Sequence, residues 1–350
     1  MADLKYHEQE DRKIYLRMRE LLAELPDVCR TFFRAIEPRT QARTRLAYAY
    51  DLTVFFGFLI HENPVYKDYE MKQFTKEDLD NVTARDLEEY MEYLKYRPDE
   101  DAGEIVNKES GIKRKISSLK SFYNYLFDNE IIKTNPAARV KLPKIHEKEI
   151  IRLEYNEVAK LLDEVESGED LTDHQKAFHE KTRVRDLAML SLLLGTGMRI
   201  SECVGIDLND IDLEETAVSI HRKGGKEETV FFSDEVADAV WAYMEQRKTI
   251  VPAAGSEKAL FLSLQNKRMS VRSAEKMVKK YAQIVTPLKH ITPHKLRSTY
   301  GTHLYQETGD IYLVADVLGH SDVNTTKKHY AAIGEDRRRS ARKAVKLRED

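Results

Sequence analysis

Through roughly the first 140 positions, apolar residues recur at three- and four-residue steps, the spacing that gathers side chains on one face of a helix. Residues 11–24 carry Ile14, Leu16, Met18, Leu21 and Leu22 in this pattern, which Pro26 ends. Residues 40–62 repeat it with Leu46, Tyr50, Val54, Phe55 and Phe58. Thr75 with Asp78, and Thr83 with Leu87 and Tyr90, open two shorter helices. Ile112, Ile116, Leu119, Phe122 and Leu126 then make a long stripe over 107–127, and no strand-like alternation persists anywhere in this half.

The pattern breaks at 131–150, which holds two prolines and little periodicity and reads as the linker region. Beyond it the signals mix. Tyr155–Val165 and Arg183–Leu194 read as helices. Residues 216–221 and 228–232 read as strands either side of Gly224-Gly225, a hairpin signal, and helices return from Ser270. The expected architecture is mainly α: an N-terminal helical domain over 1–137, a linker over 138–152, a catalytic domain with a small antiparallel sheet over 153–334, and a tail over 335–350.

Composition narrows the classes. The 350 residues are long enough for two cores, and 57 basic against 60 acidic residues leave a net charge of −3, so any basic surface must be local. Only two cysteines occur, Cys29 and Cys203, without metal-type spacing, so neither a disulfide framework nor a zinc site is expected, and a reducing cytosol fits. A polar start and the absence of any long apolar run point away from a secretory leader or a membrane span and towards a cytoplasmic protein.

Four short motifs carry chemistry. In TPHKLR, Thr292-Pro293 opens a helix with a side-chain cap expected from Thr292, and His294 and Arg297 share a face of the first turn, where the helix dipole favours an anion. In GTGMRISE, two glycines turn the chain after an apolar helix, so that Arg199 emerges at a constrained point with Glu202 one turn on to hold the region by hydrogen bonding. Lys223 sits at the hairpin tip RKGGK. In LGHSDVNTTKKHY, Gly319 stops a helix, His320 follows, and the next helix carries Tyr330. Singly, each also reads as ordinary structure: a surface pair, a salt-bridged turn, a soluble hairpin lysine, a packed tyrosine. Jointly, two arginines, two histidines, a lysine and a phenol are what metal-free phosphoryl transfer on DNA requires.

The ordered set Arg199, Lys223, His294, Arg297, His320 and Tyr330 resembles the signature of the tyrosine recombinases, or phage integrases, and the spacing is most similar to single-chain Xer recombinases. The resemblance implies an N-terminal core-binding (SAM-like) domain. It casts Arg199 and Arg297 as phosphate clamps, Lys223 as general acid, His294 and His320 as phosphate and nucleophile partners, Tyr330 as nucleophile and Glu202 as support. Ser298 stands where many relatives have histidine. Tyr300, Tyr305 and Tyr312, the rival tyrosines, are read as packing, and His303 as structural. No cofactor or metal is implied. The implied partners are a double-stranded DNA recombination site, three further copies in a homo-tetramer on paired sites, and an accessory DNA translocase.

Residues 107–150 hold ten basic against five acidic residues. Lys113, Arg114, Lys115 and Lys120 form a polar stripe opposite Ile112, Ile116 and Leu119, which reads either as a solvated face or as phosphate contacts. Arg43, with Arg39 and Arg45, is a second basic group. The tail over 335–350 has seven basic and four acidic residues, and the family implies a helix exchanged between protomers. Residues before Thr40 read as one helix and a spur, too short for an arm-binding domain; this favours an Xer protein or a simple transposon recombinase over an integrase with such a domain. A type IB topoisomerase or an inactive DNA-binding regulator remain as more distant readings.

Overall fold

A computed structural model describes residues 5–99, 103–144, 151–222, 225–320 and 322–330, without the side chains of Asp99, Thr325, Lys328, His329 and Tyr330. Lys223 and the tail over 335–350 therefore lie outside the described residues. The chain divides into two compact units, Met1–Lys148 and Glu149–Asp350.

The first unit contains α1 (Tyr6–Glu24), α2 (Asp27–Ile36), α3 (Ala42–Glu62), α4 (Lys76–Asn81), α5 (Ala84–Tyr93), the strands β1 (Tyr96–Asp99) and β2 (Gly103–Val106), α6 (Glu109–Asp128) and α7 (Pro136–Arg139). Thr75 and Thr83 each accept the amide of the residue three ahead, Asp78 and Asp86, whose carboxylates reach back to the threonine amides. These reciprocal capping boxes start α4 and α5. The α6 stripe from Ile112 to Leu126 is buried throughout and packs with Cys29, Phe32 and Phe33 of α2 and Phe55, Phe56 and Leu59 of α3. Tyr50 departs from the expected inward stripe: it is exposed, and its hydroxyl accepts from Arg17 Nε at 2.9 Å, tying α3 to α1.

Two further expectations for this unit change. The β1–β2 hairpin pairs Tyr96 with Val106 and Arg97 with Ile105 where no strand was expected. Its four-residue strands include Pro98 and lie largely exposed, so they show no apolar alternation to read. Residues ahead of Thr40 form two helices rather than one, because Pro26 at the cap of α2 restarts the chain and Cys29, Phe32, Phe33 and Ile36 then bury one face.

The second unit contains α8 (Tyr155–Ser167), α9 (Asp173–Thr196), α10 (Ile200–Gly205), β3 (Ile211–Asp212), β4 (Ala217–His221), β5 (Glu227–Phe231), α11 (Asp234–Lys248), α12 (Val271–Val285), α13 (Pro293–Thr308), α14 (Ile311–Val317) and α15 (Val323–Tyr330). The strands form one antiparallel sheet in the order β3-β4-β5. The central helix is α9, whose Ala188, Met189, Leu190, Leu192 and Leu193 are buried. Its one buried carboxylate, Asp186, is satisfied by Arg185, Thr182 Oγ1 at 3.0 Å and Tyr281 Oη at 3.1 Å. Helix α11 was not expected; its buried face is sparse, with Val236, Val240, Tyr243 and Arg247 at four- and three-residue steps. Arg247 donates to the carbonyls of Ala259, Ile250 and Glu257 and so fastens the long loop that follows. Among the described residues no helix is long and apolar enough to cross a membrane.

Candidate active site

The turn after α9 is made by Gly197, whose φ of +63° is readily adopted only without a side chain. A Cβ there would also meet the Tyr300 ring at 2.4 Å, so α13 can lie against this turn only because residue 197 is glycine. Arg199 then occupies the N-cap of α10. Its amide donates to Glu202 Oε2 and its Nη1 to Glu202 Oε1, both at 2.7 Å. Glu202 is buried and so holds both the main chain and the guanidinium of Arg199.

Arg297 comes from the first turn of α13 and is 7% exposed. Its Nη1 donates to the Gly197 carbonyl at 2.7 Å and its Nη2 to the Leu318 carbonyl. One guanidinium thereby joins the turn two residues before Arg199 to the turn two residues before His320. His294, three residues earlier, is exposed at the start of the same helix. Thr292 stands at the N-cap with Pro293 following, but the expected side-chain cap is absent; the Thr292 carbonyl instead accepts the first helical amides, from Lys295 and Leu296.

Gly319 ends α14 with φ +60°, its amide returning to the Asp316 carbonyl and that of His320 to the Ala315 carbonyl. His320 Nδ1 bonds to Thr326 Oγ1 at 2.7 Å, which pins the imidazole to α15. Thr326 is fully buried, and α15 ends in Tyr330, so the imidazole is held by the helix that carries the expected nucleophile.

Two residues that sequence reasoning did not single out complete the arrangement. Thr326 is one, and its spacing four residues before Tyr330 was available as a signal. Arg222 is the other. The sequence places it at a hairpin tip, yet it is 7% exposed and bonds to Glu202, Glu228 and the carbonyls of Val317 and Leu318. Lys223, the next residue, lies outside the described residues, as does the side chain of Tyr330. The structure therefore brings Arg199, Glu202, Arg297 and the His320 turn together through shared partners. Arg199 and Arg222 pair with Glu202 and Glu228, while Arg297 donates to main-chain carbonyls, which leaves positive charge suited to a phosphodiester.

The rival tyrosines separate. Tyr300 and Tyr305 pack against Val314 and Leu318, and burial raises the Tyr300 phenol above its ordinary range. Tyr312, expected to pack, is 71% exposed on α14. His303 stacks on Tyr155 with ring centroids 3.8 Å apart.

On the first unit, the basic stripe of α6 is partly spoken for. Arg114 makes a bidentate pair with Asp51 of α3, at 2.6 and 2.7 Å, and Lys115 reaches the same carboxylate at 3.2 Å. Asp51 is 2% exposed and also accepts from Ser118, so two of the four cations of the stripe are held by one buried carboxylate. Among the described residues no ion pair engages Lys113, Lys120 or Arg43. Arg43 is exposed, whereas Arg45 is buried and committed to Tyr15 and the carbonyls of Glu37 and Thr40.

Comparison with known proteins gives consistent matches. The phage integrase family matches residues 152–337. The tyrosine recombinase XerC of Caldanaerobacter subterraneus subsp. tengcongensis is 33% identical over 304 residues, covering 85% of this chain and 79% of that protein. The tyrosine recombinase XerS of Streptococcus agalactiae is 29% identical over 327 residues, covering 85% and 91%. Among solved structures, the Tn1549 transposon integrase in complex with transposon right end DNA aligns with a TM-score of 0.66 at 19% identity, covering 91% of this chain and 99% of that one. XerH bound to its difH substrate aligns at 0.58 and 18% identity, covering 82% and 75%.

Proposed function

This chain belongs to the phage integrase family, the tyrosine recombinases, and on that premise we propose that it is a single-chain Xer-type recombinase acting on paired chromosomal sites in the cytoplasm. The enzyme cleaves and rejoins DNA. In the proposed reaction the Tyr330 phenol gives up its proton to one of the site histidines as its oxygen attacks the scissile phosphorus, the bond to the 5′-oxygen breaks, and a 3′-phosphotyrosyl link conserves the bond energy. Lys223 gives its proton to the departing 5′-oxygen. Arg199 and Arg297 neutralise the non-bridging oxygens as charge builds, and His294 and His320 bond to the phosphate and steady the nucleophile. The 5′-hydroxyl of the partner strand then attacks the phosphotyrosine and releases the phenol. Two such exchanges, through a Holliday junction in a tetramer, complete recombination.

The observation that carries this reading is the shared use of main-chain carbonyls by Arg297. A buried guanidinium that ties the Arg199 turn to the His320 turn makes sense if both must meet one phosphate. Lys113, Lys120 and Arg43 suit phosphate contacts that set position along the duplex, and Arg114 presents a guanidinium oriented by Asp51. The higher sequence identity to XerC and XerS, 33% and 29% against 19% for the transposon integrase, favours chromosome resolution over a mobile element.

The test begins with a duplex selected from a random-sequence pool by binding to the full chain, made into a nicked suicide substrate. An SDS-stable adduct that maps to Tyr330 is expected, with Tyr330→Phe binding the duplex but forming none. An adduct through any other residue, or one formed by that variant, overturns the assignment.

A further inference from the structure

Arg222 follows β4 and turns its side chain inward, where three elements converge on its planar head. Nη2 donates to Glu228 Oε1 of β5 at 2.9 Å and to the Val317 carbonyl at 2.7 Å. Nη1 donates to the Leu318 carbonyl at 3.3 Å and to Glu202 Oε2 at 3.4 Å. Gly319 lies so close that a Cβ on it would come within 3.0 Å of the guanidinium carbon. The approach of the α14 terminus to Arg222 thus depends on glycine for space as well as for its φ of +60°.

The partners of this fork are the groups that orient others. Glu202 holds Arg199, and Val317 and Leu318 are the last carbonyls before the His320 turn. The Leu318 carbonyl accepts from both Arg222 and Arg297. When Arg297 turns a donor towards a phosphate, Arg222 keeps that carbonyl satisfied and the turn in place. A lysine cannot reproduce this, since one nitrogen cannot span a carboxylate on each side and two carbonyls between them.

We propose that Arg222 is a positioning residue for strand cleavage, locking the His320 turn to the Arg199–Glu202 pair, and that it does not itself meet the phosphate. The inference rests on the recombinase reading above and assigns a role within that site.

The experiment measures single-turnover adduct formation on the nicked duplex for wild type, Arg222→Lys, His320→Ala and the double variant, with duplex affinity and unfolding temperature measured alongside. Arg222→Lys, which keeps the charge, is expected to bind normally and cleave about 10–100-fold more slowly, the scale of a small misplacement of reacting groups. The double variant is expected to cleave no more slowly than His320→Ala alone, because Arg222 acts through that turn. The defect should persist on a substrate with sulfur at the 5′-bridging position, whose leaving group needs no proton. Multiplicative defects in the double variant, or full rescue by sulfur, overturn the proposal, the latter by assigning Arg222 to the leaving-group side. Should Arg222→Lys unfold, Glu228→Gln loosens the same guanidinium without straining the His320 turn, and a smaller loss in the same direction is expected. Absence of any adduct with wild type would instead sink the recombinase reading; normal cleavage by Arg222→Lys would sink only this inference.

Discussion

Arg297 Nη1 donates a hydrogen bond to the Gly197 carbonyl across one hundred residues of sequence, at 2.7 Å. Its other terminal nitrogen donates to Leu318. A residue expected to clamp phosphate is therefore also the brace between the two turns that present Arg199 and His320. Charge and scaffold reside in one side chain, which makes substitutions of Arg297 ambiguous and those of its neighbours more informative.

Arg199 is partly exposed and among the described residues pairs with Glu202, so its loss should spare the fold. Arg199→Ala is expected to slow cleavage roughly 10²–10³-fold, by analogy with removal of one preorganised transition-state donor. Duplex affinity should fall far less. Single-turnover cleavage and a binding titration check this, and near-normal cleavage would take Arg199 out of the site.

Thr326→Val keeps shape and burial but removes the hydroxyl that holds His320 Nδ1. The loss of one ordinary hydrogen bond is worth about 1 kcal/mol, so cleavage should slow about fivefold if the full orientation energy is felt in the transition state. Tenfold substrate excess separates this from weaker binding. An unchanged rate would mean that the imidazole is positioned by other contacts.

In the first unit, Asp51→Ala removes a buried carboxylate that serves Arg114, Lys115 and Ser118 together. Both cations can swing out to water, so the cost should be about 1–3 kcal/mol rather than that of a stranded buried charge. Urea unfolding measures it. Asp51→Asn should cost less because it keeps acceptors for Ser118, and a change within about 0.5 kcal/mol for Asp51→Ala would show the cluster to be dispensable.

Burial lowers the His303 imidazole below its ordinary value of 6.5 despite the nearby Glu154 carboxylate. Between that depressed value and 6.5 the unfolded chain binds more protons than the folded one. Stability is then full above the unfolded value and declines as pH falls towards the folded one. Unfolding temperature measured from pH 8 to pH 5 should drop less for His303→Phe, which retains a ring to stack on Tyr155. Parallel curves for the two proteins would refute the contribution of His303.

The helical stripes were legible because burial acts on single side chains at a fixed period. Ile112 to Leu126 illustrates this, as every member of the expected stripe is buried. The β1–β2 hairpin was not legible, since its exposed four-residue strands bury almost nothing to mark them. Helix α11 lay between these cases: Val236, Val240 and Tyr243 keep the period, but Trp241 is 56% exposed and blurs it.

The order and chemical identity of Arg199, His294, Arg297, His320 and Tyr330 were determined along the chain, because each motif carries its own turn or helix start in local residue types. Which cations face which partners was decided only in three dimensions. Arg222 and Arg297 bond to carbonyls of Val317, Leu318 and Gly197, and every residue has a carbonyl, so no pattern of residue types could announce them. The pairing of Arg114 with Asp51 is of the same kind: two helices far apart in sequence pack for apolar reasons, and that packing selects the charges that meet.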